Sequence, residues 1–324
     1  MTNDRFLIMR VLITGITGFA GSYLAEALLA DREVDLFGTS RDEGWPAACA
    51  HLAAKVKFRT CDLCDGRAIA SFLREVQPHQ VYHLAGYAHA GHSYKDPDAA
   101  WAGNLTATRR LYDAIADWGG KPRILFVGSG LIYGNALPDQ APNENAPFQP
   151  TSPYASSKAA ADLVSYQYTV SAGLDIVRVR PFNHIGPRQS PDFAVAHFAQ
   201  QIAAIERGAR PPMLETGDLR PRRDLTDVRD MARAYILLLE RGRTGEAYNA
   251  GTGMAQAMQE VLDQLLSLAR IKIETRQQAG LLRVAETKVV RANAARLREE
   301  IGWQPHIPLR KSLTDILEYW RQQP

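Results

Sequence analysis

Tyr154 and Lys158 stand four residues apart in Tyr154-Ala-Ser-Ser-Lys158. On a helix that spacing puts both side chains on one face, with Cβ atoms about 5–6 Å apart. A phenol with its ordinary pKa of about 10 is a poor proton donor or acceptor at neutral pH. A neighbouring ammonium favours the phenolate and brings the pair toward general acid–base work. Ser129 follows the apolar run Ile124 to Val127, so its hydroxyl falls at the carboxyl edge of a sheet, where it can hydrogen-bond a carbonyl or an alkoxide. Upstream, Gly15-Ile-Thr17-Gly18-Phe19-Ala20-Gly21 spaces three glycines as GxxGxxG between a β-branched apolar run and a helical one. Such a turn lets backbone approach a pyrophosphate and offers it the N–H groups and positive end of a helix. YxxxK alone is an ordinary surface pair. Behind a glycine turn and a serine in this order, it reads as a proton-transfer set working on a dinucleotide.

Which dinucleotide is legible at the end of the second strand, Gly38-Thr-Ser40-Arg41, where no carboxylate appears until Asp42. A carboxylate there would hold the adenosine ribose 2′-OH of NAD, whereas an arginine suits a 2′-phosphate. NADPH/NADP is therefore expected, with Ser40 and Arg41 on the phosphate, and NAD is the less favoured cofactor. The competing reading is a loop arginine without a ligand. Asp62 and Leu63, after the third strand, fall near the adenine. Leu84-Ala85-Gly86 ends the fourth strand with small residues where the nicotinamide ribose can approach the backbone.

These residues need a scaffold, and the chain spells one. Strand patterns at Arg10 to Thr14, Val34 to Ser40, Val56 to Cys61, Gln80 to Leu84, Arg123 to Gly128 and Asp175 to Arg180 alternate with helical ones. The helical patterns cover Ser22 to Ala30, Arg67 to Val76, Asp98 to Ala116 and the stretch from Pro153 to Tyr168. That alternation predicts a Rossmann-type doubly wound parallel α/β sheet. Five prolines from Asn135 through Pro153 mark a long functional loop. Beyond Phe182 the pattern loosens. The predicted division is a NADP-binding domain over 1–182 with about 225–252, and a smaller, discontinuous α/β substrate lobe over 183–224 and 253–324.

Composition narrows the classes. The 324 residues are 46% hydrophobic and 23% charged with a formal charge of +3, which excludes disorder of the bulk and a polyelectrolyte surface for nucleic acid. No apolar run has the length of a membrane helix and no signal-peptide pattern opens the chain, so a soluble, cytoplasmic protein without membrane partners is expected. Three cysteines are too few for a disulfide framework, and Cys61-Asp-Leu-Cys64 has no second ligand pair. No metal site is expected, nor do His83, His89 and His92 make one.

The glycine turn, Asp62-Leu63, Ser129 and Tyr154-x-x-x-Lys158 resemble the extended short-chain dehydrogenase/reductases that act on nucleotide sugars, over Arg10 to about Trp320. Two longer blocks narrow the likeness: Arg180-Pro181-Phe-Asn183-His-Ile-Gly-Pro-Arg188-Gln-Ser-Pro-Asp-Phe, and Gly217-Asp-Leu-Arg-Pro-Arg-Arg223-Asp-Leu-Thr-Asp227-Val-Arg-Asp230. Both resemble the GDP-4-keto-6-deoxy-D-mannose reductases, relatives of GDP-mannose 4,6-dehydratase. The resemblance implies Pro181 among the cofactor contacts. A sugar diphosphate would bring two negative phosphates, for which Asn183, Arg188 and Arg223 offer donors and charge, with Arg283 as a further candidate; Ser129 meets the sugar carbonyl, and Ser93, in the loop after the fourth strand, is expected to line the sugar site. The resemblance also implies an Asn104 that supports the active-site helix, a homodimer, and a functional link to a GDP-mannose 4,6-dehydratase.

One departure bears on the reaction. The family's dehydratases carry a glutamate two residues before the Tyr-Gly that corresponds to Tyr133-Gly134, and here that residue is Leu131. A leucine cannot move a proton, so water elimination would be slower by about 10²–10⁴. What remains is NADPH-dependent reduction of the C4 ketone of GDP-4-dehydro-6-deoxy-D-mannose to GDP-D-rhamnose or its C4 epimer GDP-6-deoxy-D-talose. The alternatives are a nucleotide-sugar 4-epimerase with tightly bound NAD and a non-catalytic dinucleotide-binding regulator. The intact Ser129, Tyr154 and Lys158 speak against the latter.

Overall fold

The computed structural model describes residues 8–135, 141–278 and 288–324. The chain divides into two compact units. One holds the described residues up to Gly128, Ser152–Val179 and Ala232–Ala247; the other holds Ser129–Thr151, Arg180–Met231 and Tyr248–Pro324. Residues 129–151, 180–182, 225–231 and 248–252, grouped by the sequence with the cofactor domain, fall in the second unit.

Strands β1 (Met9–Thr14), β2 (Val34–Ser40), β3 (Lys57–Thr60), β4 (Gln80–His83), β5 (Arg123–Val127) and β6 (Asp175–Pro181) form one sheet with the edge strand Ala247–Ala250. The order is Ala247–Ala250, β6, β5, β4, β1, β2, β3. The pairings among β1 to β6 are all parallel. Between β1 and β4 the order reverses, the switch point beyond whose carboxyl ends open α/β sheets take their ligands. Val11 to Ile13, Ile124 to Phe126 and Ile176 to Val177 are buried. Helices cover both faces of such strands, so they read as continuous apolar runs.

The helices are α1 (Phe19–Asp31), α2 (Gly66–Val76), α3 (Pro97–Trp101), α4 (Ala107–Trp118) and α5 (Pro153–Ala172). Asp65 caps α2 by accepting the N–H groups of Arg67 and Ala68. Ser152 caps α5 by accepting that of Ala155, and Gly173, at φ +67°, ends it. The single helix expected over Asp98 to Ala116 is interrupted by a π-helical turn over Ala102–Thr106, a local widening that brings Asn104 inward to 1% exposure. Ile69, Phe72 and Leu73 of α2 and Leu111, Tyr112 and Ile115 of α4 pack with Leu12, Val81, Ile124, Phe126 and Ile176 of the sheet. Each such side chain contributes roughly 1.5–3 kcal/mol. The buried Arg178–Asp162 ion pair, 2.6 Å, ties β6 to α5.

The second unit uses shorter pieces. His184–Ile185 pairs in parallel with Thr226–Asp227, and Met213–Thr216 with Glu274–Gln277. Arg222–Asp224 lies between Ala255–Ala257 and Val289–Val290. Helices Ala194–Glu206, Met258–Leu266 and Leu309–Arg321 share a core around Phe198, Ile202, Leu262 and Ile316. No helix among the described residues is long and apolar enough to cross a membrane.

Candidate active site

Gly15 adopts φ +73°, and a Cβ on it would stand 2.8 Å from Ala85 N; a Cβ on Gly21 would stand 2.2 Å from Gly15 O. The first glycine is thus required by the left-handed backbone and the approach of the chain after β4, the third by the packing of α1 on the turn. The N–H groups of Gly15 and Ile16 both donate to Thr39 O, and Thr17 Oγ1 donates to Ser40 Oγ at 2.8 Å. The turn is therefore fastened to the end of β2. Helix α1 starts after the exposed Gly18 with no side-chain cap and no acidic residue in its first turn, so its N–H groups and dipole remain available to an anion. Phe19 and Ala20 are half-buried in that first turn. These features fit a dinucleotide pyrophosphate.

Arg41 extends into solvent with its side chain 78% exposed, 3.7 Å from Asp42, an ion pair weak enough to yield to a phosphate. Asp62 Oδ1 accepts the N–H of Cys64 at 2.9 Å, while Leu63 is buried in the core. Leu84 and Ala85 are half-buried and Gly86 exposed at the end of β4. Burial raises the pKa of the Cys61 and Cys64 thiols, which makes both poor nucleophiles. Among the described residues no cluster of three His, Cys, Asp or Glu could hold a metal ion.

Tyr154, half-buried, lies in the first turn of α5, and Lys158 follows one turn later with 7% exposure. Lys158 Nζ donates to Val127 O at 3.0 Å and stands 5.8 Å from the centre of the Phe126 ring. Burial pulls its pKa from 10.5 down to about 8, so the ammonium survives at neutral pH but holds its proton loosely. A Cβ on Gly86 would stand 3.3 Å from Lys158 Nζ and 2.6 Å from Asn104 Oδ1. The missing side chain keeps a space open beside the lysine, where a ribose can reach it. Asn104 Nδ2 donates to Ser157 Oγ, and Ser157 Oγ to Tyr154 O, each at 2.9 Å. Ser93, expected to touch the sugar, is fully buried. Its hydroxyl donates to Ala90 O and accepts the Tyr154 N–H, so it fastens the head of α5.

In the second unit Ser129 is 5% exposed, and its Oγ accepts the Leu131 N–H at 3.2 Å, leaving the O–H to donate. The short turn it opens, Gly130–Tyr133, is braced by groups that sequence reasoning missed. Tyr133 OH donates to Asn249 Oδ1 and accepts from Arg180 Nη1, which also reaches Glu144 O. No local signal reveals that set, whose members lie up to 116 residues apart. Pro181 is buried at the end of β6. Asn183 Oδ1 is buried without a hydrogen-bond partner among the described residues, and Arg188 sits at φ +72°. Arg223 is half-buried beside Asp224. The carboxylate of Asp224 accepts the N–H groups of Thr252, Gly253 and Ala292. Arg220 is spent on Asp218, and Arg222 donates to Ala255 O. Arg283 lies outside the described residues.

The protein family described as GDP-mannose 4,6-dehydratase matches residues 12–316. A GDP-6-deoxy-D-mannose reductase of Pseudomonas aeruginosa is 33% identical over 98% of this chain and 99% of its own length. The solved structure of RMD from Pseudomonas aeruginosa complexed with NADPH superposes with a TM-score of 0.82 at 31% identity, covering 97% of this chain and 99% of that one. A Thermus thermophilus UDP-glucose 4-epimerase in complex with NAD superposes with a TM-score of 0.86 at 29% identity and the same coverage.

Proposed function

The chain belongs to the GDP-mannose 4,6-dehydratase family, and from that membership we propose that it is an NADPH-dependent reductase. Its substrate is the C4 ketone of GDP-4-dehydro-6-deoxy-D-mannose, and its product is GDP-D-rhamnose or GDP-6-deoxy-D-talose. One observation carries the choice among the family's reactions: Leu131 stands where a dehydratase needs a proton-transferring side chain, while Ser129, Tyr154 and Lys158 are all present. The similarity to the Pseudomonas aeruginosa reductase supports the same choice.

The roles follow from the groups. When bound, the reduced nicotinamide supplies the hydride that C4 receives. Tyr154 gives its phenolic proton to the C4 oxygen as negative charge develops there. The Lys158 ammonium favours the tyrosinate left behind, in a dry setting where its charge acts strongly. The Ser129 O–H polarises the carbonyl. The uncapped start of α1 holds the pyrophosphate, and Ser40 and Arg41 take the 2′-phosphate, a preference supported by the NADPH in the Pseudomonas aeruginosa structure. Asn183, Arg188 and Arg223 hold the sugar diphosphate, with Arg283 as a further contact. A homodimer is supported by Leu163, Tyr166 and Val170, three exposed apolar side chains along one face of α5.

The test generates the 4-keto sugar in situ from GDP-mannose with a dehydratase, adds this protein, and follows NADPH oxidation while NMR identifies the product. Stoichiometric oxidation is expected. Turnover of a dTDP- or UDP-linked ketone without turnover of the GDP sugar sinks the assignment. The Thermus thermophilus likeness favours one second reading, a 4-epimerase; that enzyme would purify with NAD bound and consume no NADPH.

A further inference from the structure

His83, at the end of β4, is 1% exposed, and nothing in the proton-transfer set uses it. Its two ring nitrogens are both engaged, Nδ1 with Thr14 Oγ1 at 2.8 Å and Nε2 with Thr108 Oγ1 at 2.9 Å. The outer bonds fix the direction. Thr14 Oγ1 accepts the Ala85 N–H at 3.2 Å, and Thr108 Oγ1 donates to Asn104 O at 2.6 Å. Thr108 has therefore spent its proton and accepts from Nε2–H, while Nδ1 accepts the proton of Thr14. Only the neutral Nε2–H tautomer satisfies both ring nitrogens and both threonine hydroxyls. Burial, helped by the nearby Lys158 charge, pushes the imidazole pKa down to about 3 and keeps it neutral.

Asn104 passes the chain onward, its carboxamide donating to Ser157 and Ser157 donating to Tyr154 O. Thr14, Thr108, Asn104 and Ser157 are all at most 1% exposed, so water cannot replace a lost link and each break leaves a buried orphan. We propose that His83 is a positioning residue: as the Nε2–H tautomer it locks the backbone of Ala85, where the nicotinamide ribose approaches, to Asn104 and the first turn of the Tyr154 helix. This rests on the reductase reading for its kinetic consequence but not for its geometry.

Thr108→Val keeps the shape and cuts the link. The expected result is a roughly tenfold loss of kcat with KM for the GDP sugar little changed, a lower melting temperature from the buried Nε2–H left unpaired, and recovery of both kcat and melting temperature in Thr108→Ser. His83→Gln, which can still donate from the Nε2 position, should retain more kcat than His83→Asn. In the wild type, ¹⁵N NMR should show an Nε2–H imidazole that does not titrate between pH 5 and 9. The Asn104 side-chain amide signal should shift in Thr108→Val and return in Thr108→Ser. Full kcat in Thr108→Val overturns the proposal, as does a titrating or Nδ1–H imidazole, or an Asn104 amide blind to Thr108. If the wild type leaves the GDP ketone untouched, the reductase reading falls and the two NMR readouts still decide the proposal.

Discussion

The head of α5 and the 183–190 segment of the second unit are built on opposite plans. Around Lys158 the polar groups are buried and committed: the lysine to Val127 O, Ser157 to Asn104 and Tyr154, Ser93 to Ala90 and Tyr154. Of these residues' side chains, Asn104 Oδ1 lacks a partner among the described residues. In the 183–190 segment two buried carboxamide oxygens, Asn183 Oδ1 and Gln189 Oε1, lack one among the described residues, and Arg188 occupies a backbone region that costs a non-glycine residue about 1–2 kcal/mol. A proton-transfer centre gains from geometry fixed in advance. Unsatisfied acceptors and strain are what a ligand's donors and charge can relieve, as the proposed diphosphate contact of this segment requires.

Tyr154→Phe cuts deepest into the fixed region. It keeps the packing of α5 and removes the acid, so kcat for NADPH oxidation should fall by about 10²–10⁴ while the Kd for NADPH stays within about threefold. Full activity in stopped-flow assays would remove Tyr154 from the chemistry and leave the committed polar groups around it as mere scaffolding.

Lys158→Met is next, and it separates stability from function. Folded Lys158 has a pKa of about 8 against an ordinary 10.5, so the folded chain binds fewer protons than the unfolded one between those values. Below about pH 8 the buried charge therefore costs the fold about 3 kcal/mol, a cost that fades as pH rises toward 10.5. Methionine fills the space without the charge. After the lost bond to Val127, stability at pH 7 should rise by about 2 kcal/mol in urea titrations while kcat falls about a hundredfold. In the wild type, reduction should weaken above about pH 8 as the ammonium is lost. A less stable Met variant would show that the lysine is held by the fold and not imposed on it.

The contrast also marks what the amino acids disclose. The glycine turn was legible because its spacing is dictated by local backbone: Gly15 has no room for a Cβ beside Ala85, nor Gly21 beside Gly15 O. The strands were legible because burial on both faces leaves unbroken apolar runs such as Val11-Leu-Ile13. Tyr154 and Lys158 were legible because one helical turn joins them. The tie of His83 to Thr14 and Thr108 was not, since it needs three segments brought together across 69 and 25 residues. The bond of Ser93 is hidden for the same reason, because nothing near it in sequence says that its hydroxyl meets the N–H of Tyr154, 61 residues away. The π-helical turn at Ala102–Thr106 was hidden too, since its apolar spacing is close to that of the helix it interrupts.

On the adaptable side, Arg223→Ala should raise KM for the GDP sugar about tenfold with kcat within about twofold, because a phosphate contact made equally in ground and transition states is lost. The same loss appearing in kcat instead would move Arg223 into the transition state and blur the division between the two plans.

Arg188 gives the finest distinction, since its side chain and its backbone can be tested apart. Arg188→Ala and Arg188→Gly both delete the guanidinium, so both should raise KM for the GDP sugar to the same extent. They differ only in what φ +72° costs. Glycine populates that region freely and alanine does not, so the glycine variant should be more stable by about 1 kcal/mol in paired urea titrations. Equal stabilities would mean that the segment relaxes to negative φ once the guanidinium is gone. The strain would then be imposed by the arginine's own contacts and not by the turn.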